Sequence, residues 1–403
     1  MIPPFSPWPS FTAEEADAAS RVLLSNKVNY WTGDECRQFE REFAQFADAD
    51  YAVALANGTL ALDVALKVLG VGADSDARDE VIVTPRTFLA SASSIVNAGA
   101  APVFADVDRN TQNITADTIR AVITPRTRAI ICVHLGGMPC DMDPIMALAA
   151  EHNLFVIEDC AQAHGARYKG RSVGSIGHIG AWSFCQDKIM STGGEGGMVT
   201  TSDRDLWSQM WSYKDHGKSW EAVYEREHAP GFRWLHESFG TNWRMTEMQG
   251  AIGRIQLTRM AEWTKARLGN AARILEVAAG LPGLRVPPTP EWAEHGHYKC
   301  YVFVETDQLA PGWDRDRIMD QVRAAGAPCY SGSCSEVYLE AAFEGTDWRP
   351  AARLPVAKEL GETSLMFLVH PTLSENEISR TCAALAEVLV CATRQPFDSV
   401  VGS

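Results

Sequence analysis

Between about residue 50 and residue 201, short apolar segments alternate with segments whose apolar residues recur at helical spacing. The predicted strands are Tyr51–Ala56, Glu80–Thr84, Ala101–Ala105, Ala129–His134, Leu154–Ile157, Ala181–Phe184 and Gly197–Thr201. The predicted helices between them are Thr59–Leu69, Thr87–Ala98, Thr115–Val122 and Asp141–His152. This alternation predicts an α/β fold, in which helices cover a mostly parallel sheet. Ligands of such sheets bind outside the carboxyl ends of the strands.

The pattern changes after Thr201. Tyr213–Phe239 lacks periodicity and is predicted to be a loop or lid, and Arg244–Ala279 is predicted to form long helices. A second α+β segment follows, with a strand at Tyr298–Glu305, helices at Asp314–Ala325 and Glu375–Leu389, and a frayed tail at Gln395–Ser403. A chain of 403 residues has room for about two domains. We predict a large domain with an N-terminal arm over residues 1–262 and a small α+β domain over residues 263–403.

Composition excludes several classes of partner. The net charge of −15 argues against nucleic acid and against an anionic membrane surface. No signal peptide and no apolar run of about 18 residues is found, so we expect no membrane partner. The ten cysteines form no Cys-x-x-Cys pair, which indicates reduced thiols in a cytoplasmic protein. His295-Gly296-His297 lacks a third ligand, so no metal site is predicted.

Two candidate catalytic side chains follow predicted strands. Asp159 comes after Leu154–Ile157, and Lys188 comes after Ala181–Phe184 and before a glycine-rich turn. A pyridoxal phosphate enzyme requires such a pair, because the acid keeps the pyridine nitrogen protonated and the lysine binds the cofactor covalently. Taken singly, each also fits a solvated surface position. Glu158 precedes Asp159, and we expect only one of these two acids to face the ligand.

Asn57-Gly58-Thr59 lies where a predicted strand passes into a helix. Free N–H groups and the helix dipole at such a point favour a phosphate, although Asn and Thr are also common as ordinary N-caps. Phe88 is either a stacking partner for a planar cofactor or a core aromatic. Glycines 193, 194, 196 and 197 do not spell the dinucleotide-binding Gly-x-Gly-x-x-Gly, so a Rossmann site is not expected.

With these residues laid out, the chain resembles the DegT/DnrJ/EryC1/StrS family of pyridoxal phosphate sugar aminotransferases over nearly its whole length. The matching segments are Trp31-Thr32-Gly33, Asn57-Gly58-Thr59-Leu60-Ala61-Leu62, Asp79-Glu80-Val81-Ile82-Val83-Thr84-Pro85, Glu158-Asp159-Cys160-Ala161-Gln162-Ala163-His164-Gly165, Gly193–Gly197, Gly240-Thr241-Asn242-Trp243-Arg244-Met245 and Glu247-Met248-Gln249. The resemblance implies the aspartate aminotransferase (type I) fold of PLP-dependent transferases.

The resemblance also implies a role for each matching position. Lys188 would carry pyridoxal 5'-phosphate and move the proton between cofactor and substrate, and Asp159 would pair with the pyridine nitrogen. The other implied cofactor contacts are Gln162 near the ring hydroxyl, Phe88 on the ring face, Gly58, Thr59 and Ser183 at the phosphate, and Asn242 at the phosphate of a neighbouring subunit. The implied protein is a homodimer with shared active sites. Its implied reaction moves an amino group from L-glutamate to a nucleotide-linked keto-sugar by a ping-pong mechanism.

The chain departs from the family pattern in two places. Cys185-Gln186-Asp187 precedes the lysine, and His178 stands where many members have aspartate. Both departures are expected near the site, where they affect substrate choice. Two alternatives stay open: a PLP-dependent sugar dehydratase or epimerase, and a non-catalytic sensory protein on the same fold. Lys188 favours transamination over both. Tyr213–Phe239 and Cys329–Tyr338 are the candidate sugar-contacting segments.

Overall fold

A computed structural model describes residues 4–73 and 78–393, so the predicted tail Gln395–Ser403 lies outside the described residues. The strands are β1 (Tyr51–Leu55), β2 (Glu80–Val83), β3 (Ala101–Phe104), β4 (Thr127–Val133), β5 (Phe155–Asp159), β6 (Arg167–Tyr168), β7 (Arg171–Ser172), β8 (Ile179–Ser183), β9 (Gly197–Thr201), β10 (Leu284–Arg285), β11 (Ala293–Glu294), β12 (Cys300–Val304) and β13 (Ser364–Phe367). The helices are α1 (Ala13–Ser25), α2 (Glu35–Phe46), α3 (Gly58–Val68), α4 (Ala90–Asn97), α5 (Ala116–Arg120), α6 (Met142–His152), α7 (Arg204–Tyr213), α8 (Trp220–Tyr224), α9 (Glu247–Thr258), α10 (Met260–Ala279), α11 (Arg315–Ala324), α12 (Pro355–Thr363) and α13 (Glu375–Ala392).

The central element is a seven-stranded sheet in the order β1-β9-β8-β5-β4-β2-β3. Neighbours from β8 to β3 are parallel, whereas β9 runs antiparallel to both β1 and β8. The strands are buried almost throughout, as expected for a sheet covered on both faces. The predicted α/β fold with a mostly parallel sheet is confirmed.

A smaller sheet, β10-β12-β13, has its own buried cluster, which includes Ile274 and Ala278 of α10 and Leu385 and Leu389 of α13. Helix α10 runs unbroken through positions 262 and 263, so the predicted division falls inside a helix. The division of the chain into residues 1–262 and 263–403 stays a prediction. A third sheet, β11-β6-β7, is formed by short strands that the sequence pattern did not predict.

Two further differences from the expected elements have local causes. Tyr213–Phe239 is not irregular throughout, because α8 forms within it: Ser219 caps the helix, and Trp220 packs edge-on against Trp207 and Trp211. Helix α4 starts at Ala90 and not at Thr87, which leaves Phe88 in the connection before it. None of the helices within residues 4–73 and 78–393 is both long and apolar enough to cross a lipid bilayer.

An N-terminal arm crosses from the smaller sheet to the lysine of the candidate site. The Ser6 hydroxyl donates to the Glu377 carboxylate at the start of α13, at 3.1 Å. Two residues later, Trp8 Nε1 donates to the carbonyl oxygen of Lys188 at 2.8 Å. The arm therefore links α13 to the backbone of Lys188.

Candidate active site

A cavity of about 860 Å³ opens at the carboxyl ends of β1, β5 and β8. Seven of the eight residues predicted for the site line it: Gly58, Thr59, Phe88, Asp159, Gln162, Ser183 and Lys188. They come together because Asp159 and Ser183 end β5 and β8, while Gly58 starts the helix after β1. Asn242 does not line this cavity; it is exposed and pairs through its backbone with Asp215.

Asp159 is buried at the end of β5 with its carboxylate only partly bonded by the protein. Oδ2 accepts a hydrogen bond from the Ser91 hydroxyl at 2.8 Å, and Oδ1 accepts one from the Ala161 N–H at 3.1 Å. Burial raises the pKa of Asp159, and the hydrogen bond from Ser91 offsets this only in part. The site therefore favours a cation beside this carboxylate, because a nearby positive charge restores its ionised form. The sequence analysis missed Ser91.

Glu158 points away from the cavity and is fully satisfied by the protein. It accepts hydrogen bonds from the N–H groups of Gly174, Ile176 and Gly177 at 2.6–2.9 Å, and from His134 Nε2 at 2.9 Å. Burial alone would raise the pKa of Glu158, but these donors outweigh it and leave the pKa below its ordinary value. Only Asp159 of the two acids faces the ligand space, as expected.

His134, Glu158 and Cys160 place their potential ligand atoms within 4.8 Å of one another. However, His134 Nδ1 accepts from the Cys140 N–H at 3.0 Å, so Nε2 carries the proton that bonds Glu158. A ring whose two nitrogens are both occupied in this way has no lone pair for a metal. This cluster is explained by its hydrogen bonds, and it holds the strand that carries Asp159.

Lys188 lies against an acid and an aromatic ring. Its Nζ is 3.6 Å from Asp187 Oδ2 and 5.3 Å from the centroid of the Tyr298 ring. The Tyr298 hydroxyl donates to the same Asp187 oxygen, and burial raises the pKa of Tyr298, so this phenol stays protonated. Burial would raise the pKa of Asp187, but Lys188 and the Tyr298 hydroxyl hold it below its usual range.

The start of α3 lies in unusually close contact with β8 and β9. A Cβ added at Gly58 would come within 2.5 Å of Ser183 Cβ, and one added at Gly197 would come within 2.9 Å of the Gly58 nitrogen. Asn57 is the N-cap, as the alternative interpretation held, and its Oδ1 accepts from the Leu60 N–H at 3.0 Å. That bond uses neither the Gly58 N–H nor the Thr59 N–H, so capping and anion binding are compatible here.

Phe88 and Gln162, which were also predicted to contact the cofactor, line the cavity as well. Phe88 is 70% exposed, which rules out the core-aromatic interpretation. Gln162 is held by the Gly136 N–H, which donates to its Oε1 at 3.0 Å. Of the two segments predicted to contact sugar, Cys329–Tyr338 contributes Gly332, Ser333, Cys334 and Val337 to the cavity, whereas residues 213–239 contribute none.

The two departures from the family pattern separate in space. Cys185 and Asp187 line the cavity. His178 does not; it precedes β8, and its Nδ1 accepts from the Val156 N–H at 3.0 Å. The expectation that His178 lies near the site was wrong, because the five residues of β8, roughly 16 Å of extended chain, separate its two ends. His178 instead fixes the entry of the chain into β8.

Comparison with known proteins agrees with this geometry. Residues 9–386 match the model of the DegT/DnrJ/EryC1/StrS aminotransferase family. The X-ray structure of an aminotransferase from Psychrobacter cryohalolentis is 66% identical, covers 96% of this chain and 99% of its own, and superposes with a TM-score of 0.93.

Two named relatives act on sugars. GDP-perosamine synthase of Escherichia coli O157:H7 is 41% identical over 383 residues, which are 94% of this chain and 96% of the relative. UDP-N-acetyl-3-dehydro-alpha-D-glucosamine 3-aminotransferase of Acidithiobacillus ferrooxidans is 35% identical over 371 residues, which are 91% of this chain and 92% of the relative.

Proposed function

This chain is a member of the DegT/DnrJ/EryC1/StrS aminotransferase family, and from that premise we propose that it transfers an amino group from L-glutamate to a nucleotide-linked keto-sugar. The products are 2-oxoglutarate and an amino-sugar nucleotide, formed in two half-reactions. The names of the two relatives support a nucleotide-linked sugar, since each includes one.

The observation that carries this proposal is the pairing of Lys188 with Asp159 in one cavity. Pyridoxal 5'-phosphate is the cofactor of the family, and the residues present fit it. Asp159 is a buried carboxylate that forms no ion pair within 4 Å among residues 4–73 and 78–393, which suits a pyridinium nitrogen. The glycine at the start of α3 and the hydroxyl of Ser183 suit a phosphate. Phe88 offers an exposed ring face, and Gln162 also lines the cavity.

When bound, the cofactor acts as an electron sink that acidifies the carbon bearing the amine. Lys188 would hold it and would move the proton at that carbon. Asp159, oriented by Ser91 and the Ala161 N–H, would keep the proton on the ring nitrogen. Asp187 lies 3.6 Å from the Lys188 amine and accepts a hydrogen bond from the Tyr298 hydroxyl.

We propose that the active protein is a homodimer with shared sites. Asn242 is exposed and does not line the catalytic cavity of its own chain, as expected of a residue that completes a neighbour's site. The segment before it presents Phe232, Trp234 and Phe239, which are 77%, 81% and 98% exposed. Exposed aromatics of this density favour burial against another chain. A cytoplasmic location is also proposed, because all ten cysteines are free thiols.

The test is the visible absorption spectrum of the purified protein before and after L-glutamate is added. We expect the band of the lysine-linked cofactor, and its bleaching by glutamate. Lys188→Ala should lose both the band and the bleaching, and its far-UV circular dichroism should match the parent. Lys265→Ala, at an exposed position of α10, is the matched control.

Each other outcome has a defined meaning. A band that ignores glutamate contradicts L-glutamate as the donor. Absence of a band after incubation with pyridoxal 5'-phosphate contradicts catalysis altogether. Release of a deoxygenated sugar without nitrogen from a nucleotide keto-sugar would replace transamination with dehydration.

A further inference from the structure

A second cavity, of about 490 Å³, adjoins the catalytic cavity. Asp187, Tyr298 and Lys299 line both, so the two spaces share a wall that also contacts Lys188. The N-terminal arm closes one side with Phe5 and Trp8. The volume lies within the roughly 300–1,000 Å³ typical of small-molecule sites.

A buried cation, Arg267 of α10, lines the second cavity. Arg267 is 2% exposed, and its Nε and Nη2 have no hydrogen-bond partner among the residues that the structure describes. In the part of the chain that the structure describes, Arg267 forms no ion pair within 4 Å; its guanidinium lies 5.1 Å from the Trp8 ring centroid. Burial lowers its pKa to about 9, so it remains a cation at pH 7. A buried guanidinium without an anion is costly, and such groups are normally paired.

The other charged and titratable groups of the second cavity add one cation, Lys299, and leave no unengaged carboxylate to pair with Arg267 among the described residues that line it. Lys299 lines both cavities, and its ammonium group donates to the hydroxyl of Ser333, a residue of the catalytic cavity, at 3.0 Å. Asp187 is the one carboxylate on the wall, and it is already engaged by Lys188 and the Tyr298 hydroxyl. Burial lowers the pKa of His370 to about 4, so this ring is neutral at pH 7.

We infer that the second cavity receives a carboxylate of the amino donor, bound by Arg267 and Lys299. This rests on the proposed transamination, in which the donor nitrogen must reach the cofactor held by Lys188. A dicarboxylic amino acid has a carboxylate at each end. Its amino group reacts beside Lys188 in the catalytic cavity, while one carboxylate lies in the second cavity, beyond the residues that line both. Arginine suits this role because its planar fork matches a carboxylate.

The experiment uses the holoenzyme and follows the donor half-reaction at increasing L-glutamate. Arg267→Met should raise the half-saturating glutamate concentration about 10- to 100-fold, which corresponds to loss of a charged hydrogen bond. The limiting rate should change far less. Arg273→Met is the control, because this residue lies on the same helix but is exposed, and its guanidinium donates to the Ser379 hydroxyl at 2.7 Å. Lys299→Met should shift the half-saturation in the same direction by a smaller factor.

Two probes distinguish which carboxylate is bound. L-norvaline has the α-carboxylate of glutamate but lacks the distal one. If Arg267→Met weakens glutamate and leaves norvaline unchanged, the distal carboxylate is bound; if it weakens both equally, the α-carboxylate is bound. Glutarate, which cannot react, should inhibit the parent more strongly than Arg267→Met, and this confirms binding without turnover.

A folded Arg267→Met that saturates at the same glutamate concentration as the parent overturns the inference. So does a variant whose only loss is inhibition by UDP or GDP, which would assign the cavity to a nucleotide phosphate. A parent enzyme that shows its cofactor band but never reacts with glutamate refutes the proposed donor instead. Removing an unpaired buried charge should leave the melting temperature unchanged or higher. Arg267→Lys, which retains the charge, serves if the methionine variant does not fold.

Discussion

Glu158 and Asp159 are consecutive residues of one strand, yet they serve two regions of opposite character. On the face of Glu158, three backbone N–H groups and His134 complete the carboxylate, and its pKa lies below the ordinary value. The Asp159 carboxylate accepts hydrogen bonds from one hydroxyl and one N–H group, so part of its acceptor capacity is unused, and its pKa is raised. Burial acts on both, so the number of donors decides the sign of the shift.

The difference separates structural from functional acids in this protein. A carboxylate whose acceptor sites are all filled by the chain stabilises the fold and has nothing left to bind. A buried carboxylate with few hydrogen-bond donors has a destabilised ionised form. A ligand that carries a positive charge stabilises this form. The same reasoning identifies Arg267 as a cation short of an anion.

The largest expected effect is the loss of rate when the carboxylate of Asp159, the acid that faces the ligand, is replaced by an amide. Asp159→Asn should slow the glutamate half-reaction by roughly 10³-fold, because the cofactor nitrogen loses its negative partner. The protein should be no less stable without cofactor, since an ionised form disfavoured by burial has been removed. Stopped-flow absorbance and thermal melting measure the two quantities. A variant with near-parental rate would contradict the role of Asp159.

The second effect is a loss of folding stability when Glu158, the acid that is fully hydrogen-bonded by the protein, is replaced. Glu158→Gln should destabilise the cofactor-free protein by about 3 kcal/mol, because the amide presents a donor to N–H groups that need an acceptor. Urea unfolding monitored by tryptophan fluorescence provides the measurement. The variant that remains folded should keep most of its rate of reaction with glutamate. A large loss of rate at parental stability would mean that Glu158 takes part in the chemistry.

The pH dependence of the free energy of unfolding is a further test of the difference between Glu158 and Asp159. Since the folded pKa of Glu158 is below 4.5, its contribution is present above that pH and is lost as the pH falls through the folded pKa. Asp159 has the opposite sign: its raised pKa lowers stability at neutral pH, and this cost disappears on acidification. Urea midpoints measured from pH 7 down to about pH 3, a range that extends below the ordinary pKa of glutamate, should therefore fall less in Glu158→Gln than in the parent. They should fall more in Asp159→Asn. Parallel curves for all three proteins would refute the assignment.

The smallest effect concerns the partner of Asp159. Ser91→Ala should slow the glutamate half-reaction by about 10-fold, the equivalent of one hydrogen bond to a charged group. Ser94→Ala is the control, because its hydroxyl bonds only within α4. In an Asp159→Asn background, Ser91→Ala should add little, because both changes act on one interaction. Independent effects of the two substitutions would show that Ser91 acts elsewhere.

The sequence predicted the parts of the site that regular elements position. Gly58, Asp159 and Ser183 are each at or just beyond the carboxyl end of a strand, so recognising the strands was sufficient to bring them together. Ser91 was missed, although it falls four residues after Thr87 in the predicted helix Thr87–Ala98, a spacing that would put both hydroxyls on one face. The helix starts only at Ala90, but the two hydroxyls still form a hydrogen bond at 2.8 Å.

Other features depend on contacts that no local pattern encodes. Trp8, Arg267 and Tyr298 reach Lys188 or its surroundings from segments far apart in the sequence, through packing of the arm and of α10. The direction of β9 was also missed, because apolar strands look alike in either direction. One signal was present: the segment 184–196 contains no helix, and parallel neighbours in one sheet require a crossover.

The position of β9 has a consequence for the order in which the molecule is assembled. It is the last of the seven strands to leave the ribosome, yet it lies between the first strand and β8. Until residue 201 has been synthesised, β1 has no partner and β8 has an open side, and such edges attract other chains. Because Gly197 of this strand also approaches Gly58, the end of α3 that we propose binds the cofactor phosphate is completed in the same event. Cofactor capture therefore reports that the sheet has closed.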